Sequence, residues 1–376
     1  MLWLSQPRSA RAEDSLTYKF SSYAEDDSRI RVNSNYALAQ ADLGVDTSLK
    51  IMGATDSIAG ATPTGARPLT AGDPVPTGYM TDFRKAVNLD LAQQIKAVNV
   101  DLGYALSTES DYVSHGWSVN TLTDFNQKNT RVLLGYAGTD DTIREPKLGW
   151  TSDRHKQGHD FIAGVTQLLD PDDTLTLNVS FGRLNGYLDD PYKIVSTTML
   201  NVDPGTYYTV PENRPRERSK FSVLVGSNNS FKDWAGALET SYRYYRDTFG
   251  IRSHTGTLRW LQSIGDSVVL EPSVRYYIQS AASFYHYNLD NDGVVTSYDP
   301  ASGETGTGMA PFYSSDYRLS RMRSLDLGLK LTWKIGPRAS VDLAYDRYLT
   351  HGLDGVTPED AYSKARIISA GCKWSF

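Results

Sequence analysis

A single cysteine, Cys372, in 376 residues rules out an intrachain disulfide and any thiolate metal cluster. Long apolar runs are missing as well, and none approaches the ~20 residues that a membrane-spanning helix requires. The 38 basic and 44 acidic residues are spread along the chain and leave a net charge of −6. No basic cluster follows the pattern of a phosphate-tracking surface, so nucleic acid is not an expected partner. Six histidines, His115, His155, His159, His254, His286 and His351, are scattered, and only His155 and His159 are close. Four residues apart on a strand they would stand about 13 Å apart, too far to share one ion. No serine, histidine and acid arrangement stands out either. No catalytic set, metal or cofactor is therefore expected, and the chain does not read as an enzyme.

What the chain has in quantity is aromatic residues and glycine, 24 Tyr, 7 Trp and 30 Gly, laid over a repeated two-residue period. From Ser324 to Ile335, Leu325, Leu327, Leu329, Leu331, Trp333 and Ile335 alternate with Ser324, Asp326, Gly328, Lys330, Thr332 and Lys334. Period two over twelve residues means a strand with one apolar face and one wet face. Gly336-Pro337 breaks the run before a second alternating stretch, Ala339 to Asp346, which makes a tight hairpin. The same pattern predicts strands at 15–24, 28–41, 45–57, 81–93, 96–108, 111–123, 129–138, 157–168, 173–186, 217–227, 233–247, 252–264, 267–284, 318–335, 338–350 and 364–376. A mean hydropathy of −0.43 does not oppose a membrane location. A barrel dilutes its lipid-facing apolar residues with as many lumen-facing polar ones.

The connections are an independent check, because outer-membrane barrels alternate short periplasmic turns with longer outer loops. Short links fall near 42–43, 93–94, 124–128, 170–172, 228–230, 265–266 and 336–337, and the long ones at 58–80, 139–156, 187–216, 285–317 and 351–363 fall between them. Links near 26–27, 109–110 and 248–251 are short but keep the parity. A soluble sandwich or propeller needs no such alternation. Trp234, Trp260, Trp333 and Trp374 lie near short turns or the C-terminus and are expected to form an inner aromatic girdle, with Tyr242, Tyr244, Tyr276, Tyr277 and Tyr348 nearer the outer one. The expected fold is an all-β antiparallel up-and-down transmembrane barrel of about sixteen strands, in one domain over 13–376, located in a Gram-negative-type outer membrane.

The two ends carry further signals. Residues 1–12 end in Ala10-Arg11-Ala12, a small-x-small pattern that a signal peptidase reads, preceded by only a remnant of an apolar core; a disordered terminus is the alternative reading. The last eight residues, Ser369 to Phe376, read polar, x, Gly, x, x, aromatic, x, aromatic, with Gly371 and Trp374 at the third and sixth places. That pattern resembles the signal recognised by the outer-membrane barrel assembly machinery. A strand edge can be captured by strand addition, with alternate side chains giving specificity. Phe376, Trp374 and Cys372 are expected to face lipid, and Lys373 and Ser375 the lumen.

Parity assigns to the lumen a set of both signs: Asp101, Arg131, Arg183, Lys220, Glu239, Arg243, Glu271, Arg275, Gln279, Asp326, Lys330, Asp342, Asp346 and Lys373. Opposed rows of acids and bases orient solutes in a pore, whereas matched pairs stiffen a filled lumen. Sixteen strands normally leave an aqueous channel, which favours the pore. The segment 187–216, with Asp189, Asp190, Asn213, Arg214, Arg216 and Arg218, reads as a rim or lumen element. Asp290-Asn291-Asp292-Gly293 resembles half of a calcium loop but has no closing glutamate, and reads as a solvated turn.

Three groups of residues carry a family resemblance. Asp56 to Pro63, Gly186 to Lys193 with Pro211 to Pro215, and Arg275 to Tyr285 are similar to the domain-of-unknown-function family thirty-five seventy of predicted Gram-negative outer-membrane proteins. The resemblance implies a barrel and a compartment, and it brings no catalytic residue. The expected function is a porin-like channel for passive diffusion of small hydrophilic solutes, with a non-conducting structural or interaction barrel as the alternative. Expected partners are outer-membrane lipid, lipopolysaccharide and the assembly machinery, and the chain could form a homo-oligomer.

Overall fold

The computed structural model describes residues 14–144, 152–198, 207–289, 295–298, 305–308 and 312–376. In chain order the strands are β1 (Ser15–Glu25), β2 (Arg31–Asp42), β3 (Thr47–Pro63), β4 (Thr77–Ile95), β5 (Val98–Thr108), β6 (Tyr112–Phe125), β7 (Thr130–Ile143), β8 (Arg154–Leu168), β9 (Asp173–Gly186) and β10 (Ile194–Thr198). There follow β11 (Tyr207–Pro211), β12 (Glu217–Phe231), β13 (Gly236–Asp247), β14 (Arg252–Ile264), β15 (Val268–Gln279), β16 (Val295–Tyr298), β17 (Thr305–Gly308), β18 (Met322–Ile335), β19 (Ala339–Gly352) and β20 (Lys364–Ser375). Sixteen of them form one closed antiparallel barrel, while β10 with β11 and β16 with β17 are separate hairpins within two long connections. β1 closes on β20 from Ser15 opposite Ser375 to Glu25 opposite Ala365, so the sheet has no free edge.

The two-residue period sets the faces. Leu327, Leu329, Leu331, Trp333 and Ile335 of β18 are exposed on the outer surface, as are Leu175, Leu177, Val179 and Phe181 of β9. In water such a surface would aggregate; in a hydrocarbon layer it is the stable arrangement. At Gly336 the turn between β18 and β19 needs φ +69, which glycine adopts without strain.

All sixteen expected barrel strands are present, with shifted ends. β3 and β4 continue to Pro63 and from Thr77, so the link expected at 58–80 is confined to 64–76. β7 and β8 likewise extend into the link expected at 139–156, to Ile143 and from Arg154. Residues 58–63 are mostly small and 139–142 are polar on both faces, so the alternation that reveals a strand vanishes although its hydrogen bonds continue. The reverse happens at 267–284, where the strand stops at Gln279 because Ala282 and Phe284 turn into a small buried core. The partner strand begins at Met322, since Tyr317–Leu319 form a 3-10 turn. The readings of residues 1–12 and of Asp290 to Gly293 lie outside the described residues.

Trp260, Trp333 and Trp374 point outward near the short-turn end of the barrel. Trp234 belongs not to a strand but to the 3-10 turn Lys232–Trp234, its ring centroid 5.7 Å from Phe231 and 6.2 Å from Trp260. Toward the other end, three outward tyrosines share a cross-strand arrangement, with their hydroxyls bonded to histidine Nδ1: Tyr104 to His115 at 2.9 Å, Tyr136 to His159 at 2.9 Å and Tyr242 to His254 at 2.6 Å. Tyr277 and Tyr348 fall on inward-facing positions instead of joining this belt. Consecutive residues of a strand point to opposite faces, so Tyr276 and Tyr277 cannot both face lipid.

Candidate functional site

Thirteen of the fourteen charged or polar residues assigned to the lumen lie on inward positions of their strands: Asp101, Arg131, Lys220, Glu239, Arg243, Glu271, Arg275, Gln279, Asp326, Lys330, Asp342, Asp346 and Lys373. Arg183 does not. It continues the outward series Leu175, Leu177, Val179 and Phe181, and its half-exposed side chain pairs with Glu217 at 3.0 Å. The apolar band ends one pleat below it, which leaves an outward arginine solvated at the rim.

Several lumen charges pair locally: Arg131 with Asp124 at 2.7 Å, Lys220 with Asp160 at 3.1 Å, Glu239 with Arg259 at 3.0 Å and Lys330 with Glu271 at 3.0 Å. Arg243 has no acidic partner among the described residues. Arg275 lies across from Asp326 in the β15–β18 register, its guanidinium 5.7 Å from the Tyr277 ring centre. Both arginines line a cavity of about 770 Å³ in the outer half of the lumen, together with Arg218, Glu109, Asp111, Tyr112, Asp189 and Asp190. On its far side Asp82, Glu109 and Asp111 hold carboxylate oxygens within 4.8 Å of one another. β5 and β15 are eight places apart in the sixteen-strand order, so Glu109 and Arg275 belong to opposite walls. The cavity thus sets Arg243 and Arg275 against an acidic cluster on the opposite wall, which Arg84, 3.9 Å from Glu109, and Lys156, 3.2 Å from Asp141, offset in part. Burial and repulsion by Asp82 push the Glu109 carboxyl up to about 7.

Above the cavity the outer segments tie together. Ile194 N donates to Thr64 O at 2.9 Å, Arg67 N to Ser196 Oγ at 3.0 Å, and Ser315 Oγ to Ile194 O at 2.8 Å. Leu289 N donates to Ser196 O at 3.0 Å, and Val75 N to the Asp360 carboxylate at 2.8 Å. These contacts join loops that leave the barrel after β3, β9, β15 and β19, from different sides of its circumference. The crossing is tight at Gly65, with φ +93, where an added Cβ would come within 2.7 Å of Ile194 O. Two small apolar cores fasten it: Phe249, Ile251, Ala282, Phe284 and Leu319, and Val195, Leu289 and Tyr313.

In the mouth is a chain of charges, buried at Glu212 and Asp316, nearly so at Arg214 and half-exposed at Arg318. Arg214 reaches Glu212 at 2.7 Å and Asp316 at 2.9 Å, and Arg318 bridges Asp316 to Asp190 at 2.5 Å. The Asp316 and Glu212 side chains are each 1% exposed. Burial pushes Asp316 up, yet Arg318 and Arg214 outweigh it and hold its carboxyl well below the usual range. For Glu212 the balance is opposite: burial dominates the pull of Arg214 and raises the carboxyl to about 7. Lys193, pushed down by burial, donates to Pro63 O, and the Tyr192 hydroxyl donates to Asp111. Sequence reasoning singled out Asp190 and Arg214 but gave no role to Glu212 or Asp316, which Arg214 joins across 102 residues of chain.

The family described as protein of unknown function (DUF3570) matches the chain at residues 3–73, 70–149 and 145–358. The chain belongs to that family. No curated protein matches it. Among solved structures, the chain is similar to the ferric enterobactin receptor PfeA of Pseudomonas aeruginosa (13% identity, 97% of this chain and 60% of that one, TM-score 0.47). It is also similar to OmpT, an outer membrane protein of Vibrio cholerae (10% identity, 97% of each chain, TM-score 0.47), and to the siderophore receptor PirA of Acinetobacter baumannii (10% identity, 98% and 81%, TM-score 0.43). The chain thus spans 60% of the length of the enterobactin receptors it matches. With a closed sixteen-stranded barrel, an apolar outer face and aromatic belts, this family member is an integral protein of the Gram-negative-type outer membrane. The three groups of residues that carry its family resemblance converge on the mouth, where Pro63, Lys193, Glu212, Arg214, Ala282 and Phe284 sit together.

Proposed function

We propose that the protein is a porin-like channel for passive diffusion of small hydrophilic solutes, with a charged vestibule beneath an outer mouth that tied loops can close. The opposition of Arg243 and Arg275 to the acidic cluster across the 770 Å³ cavity carries this reading. A transverse field of that kind orients a dipolar solute and tunes ionic preference. Folded protein in planar bilayers is expected to show discrete conductance steps, and replacing Arg243 and Arg275 by glutamate should shift the reversal potential toward cation selectivity. Folded barrels that never conduct, even with the mouth loops released, would instead favour a non-conducting interaction barrel, a reading supported by the interlocked mouth.

The same proposal includes capture of the C-terminal strand by the assembly machinery. Ser369 and Gly371 lie on the inward face of β20, Trp374 is outward, and Phe376 N donates to Asp14 O at 2.9 Å at the seam. Deleting Phe376 should lower the amount of folded barrel in the outer membrane several-fold while leaving refolding into detergent micelles nearly intact, as read by heat-modifiable electrophoretic mobility. Equal losses in both settings would assign Phe376 to barrel stability alone.

A further inference from the structure

On the outside of the barrel, β13 and β14 set two arginines directly opposite each other near their outer ends, Arg246 facing Arg252. Both are exposed and outward, and neither has an acidic partner among the described residues. Like charges in direct cross-strand register are destabilising unless an anion lies between them. Arg246 also stacks its guanidinium 5.3 Å from the Phe221 ring centre, which fixes its direction, and Arg323 of β18 lies outward a short way round the wall, opposite Ile278.

Below the arginine pair the surface changes in steps. First comes an amphipathic layer, with Tyr242 bonded to His254 and Tyr244 5.4 Å from the same imidazole. Rings of this kind mark the headgroup boundary of a bilayer. Next comes a groove of about 420 Å³ bounded by Val225, Thr240, Tyr242, Leu258, Val274 and Tyr276, with Gly256 at its floor. A Cβ at Gly256 would meet nothing within 4 Å, so the dent exists because a side chain is absent there. Arg252 stands four residues above Gly256, about 13 Å along the strand.

We propose that this face binds one molecule of a phosphorylated, multiply acylated glycolipid, the chemistry of outer-leaflet lipopolysaccharide, with a phosphate between Arg246 and Arg252 and an acyl chain in the groove at Gly256. Guanidinium and phosphate make charge-assisted, often bidentate hydrogen bonds. The groove supplies contact that a free phosphate cannot use. The inference requires the outer-membrane location and is independent of whether the barrel conducts.

The test is native mass spectrometry of the full-chain barrel in detergent, titrated with bisphosphorylated lipid A, its dephosphorylated form and phosphatidylglycerol. One tightly held lipid A per barrel is expected, with the dephosphorylated lipid and phosphatidylglycerol each weaker by about tenfold or more. The Arg246→Gln, Arg252→Gln double variant and Gly256→Leu should each weaken lipid A by a similar factor, while Lys85→Gln, a distant outward cation, should not. Heat-modifiable mobility confirms that each variant is folded. Equal binding of all three lipids, or no effect of the arginine pair, would overturn the site. Sensitivity to the arginines without sensitivity to Gly256→Leu would overturn the acyl groove and reduce the face to a plain anion contact.

Discussion

Asp316→Ala should open the outer mouth and raise single-channel conductance several-fold. The Asp316 carboxylate is almost wholly buried and neutralises both Arg214 and Arg318, whose other partners, Glu212 and Asp190, lie on the loop that follows β9. Removing one member of a buried pair costs about 3–5 kcal/mol, because the remaining charge is left without compensation. In a loop that cost is relieved by moving the segment into water, so the barrel ladders survive and the tied loops separate. Trypsin added to intact cells should then cut after Arg318 several-fold faster than in the parent protein, where the tied loops hold that turn in place; the Arg214–Pro215 bond resists trypsin in both. Unchanged conductance together with unchanged protection would show that the mouth is held by the apolar cores and backbone bonds, with the charge chain dispensable.

In the proposed channel, acidification should close the mouth, with a midpoint near neutral pH. Glu212 titrates at about 7 when buried in the tied mouth and near 4.5 once the loops release it into water. The closed form therefore binds the proton more tightly. Its stabilisation from Glu212 is complete below about pH 4.5 and is lost as pH rises through about 7. Asp316 works in the opposite sense, since its carboxyl is depressed: it stabilises closure above the ordinary carboxylate range and ceases to do so only in strong acid, outside this window. Between pH 5 and 8 the open probability should rise by about tenfold or more, given that one unit of pKa is a factor of ten. Glu212→Gln, fixed in the neutral form, should remain closed and flat across that range. A variant with the parent profile would move the pH sensitivity to Glu109, which is also raised to about 7 but faces the cavity and should alter ion preference more than opening.

The wall of the barrel was legible in the sequence because a strand crossing lipid must alternate, and alternation survives in one dimension. Leu327 to Ile335 fixes its strand and its face with little else needed. Parity also placed Arg243 and Arg275 together on the inside. It fails where the membrane ends: Arg183 kept the outward parity of Phe181 but was read by its charge, and the upper part of β3 looked like loop because its small residues and Pro63 carry no alternation. Trp234 was assigned to a strand that begins two residues later, since a 3-10 turn of three residues has no period to detect. Of the mouth only the segment 187–216 was legible, as a rim element, and the bonds that tie it were not. Its bonds join Thr64 to Ile194, Arg214 to Asp316 and Val75 to Asp360, residues whose separation in the chain carries no pattern and whose neighbours vary in polarity without rhythm.

The crossing of loops over the mouth has a mechanical consequence as well. A sheet of sixteen strands in which each strand is held only by its two neighbours can deform into an ellipse at little cost, since hydrogen bonds between neighbours resist separation better than they resist bending. Ties anchored after β3, β9, β15 and β19 run across the opening like spokes and oppose that flattening at the outer rim, while the periplasmic end has only short turns. Lateral pressure in the bilayer should therefore distort the two ends unequally. In the proposed channel, releasing the mouth would also soften the outer wall at the moment it opens.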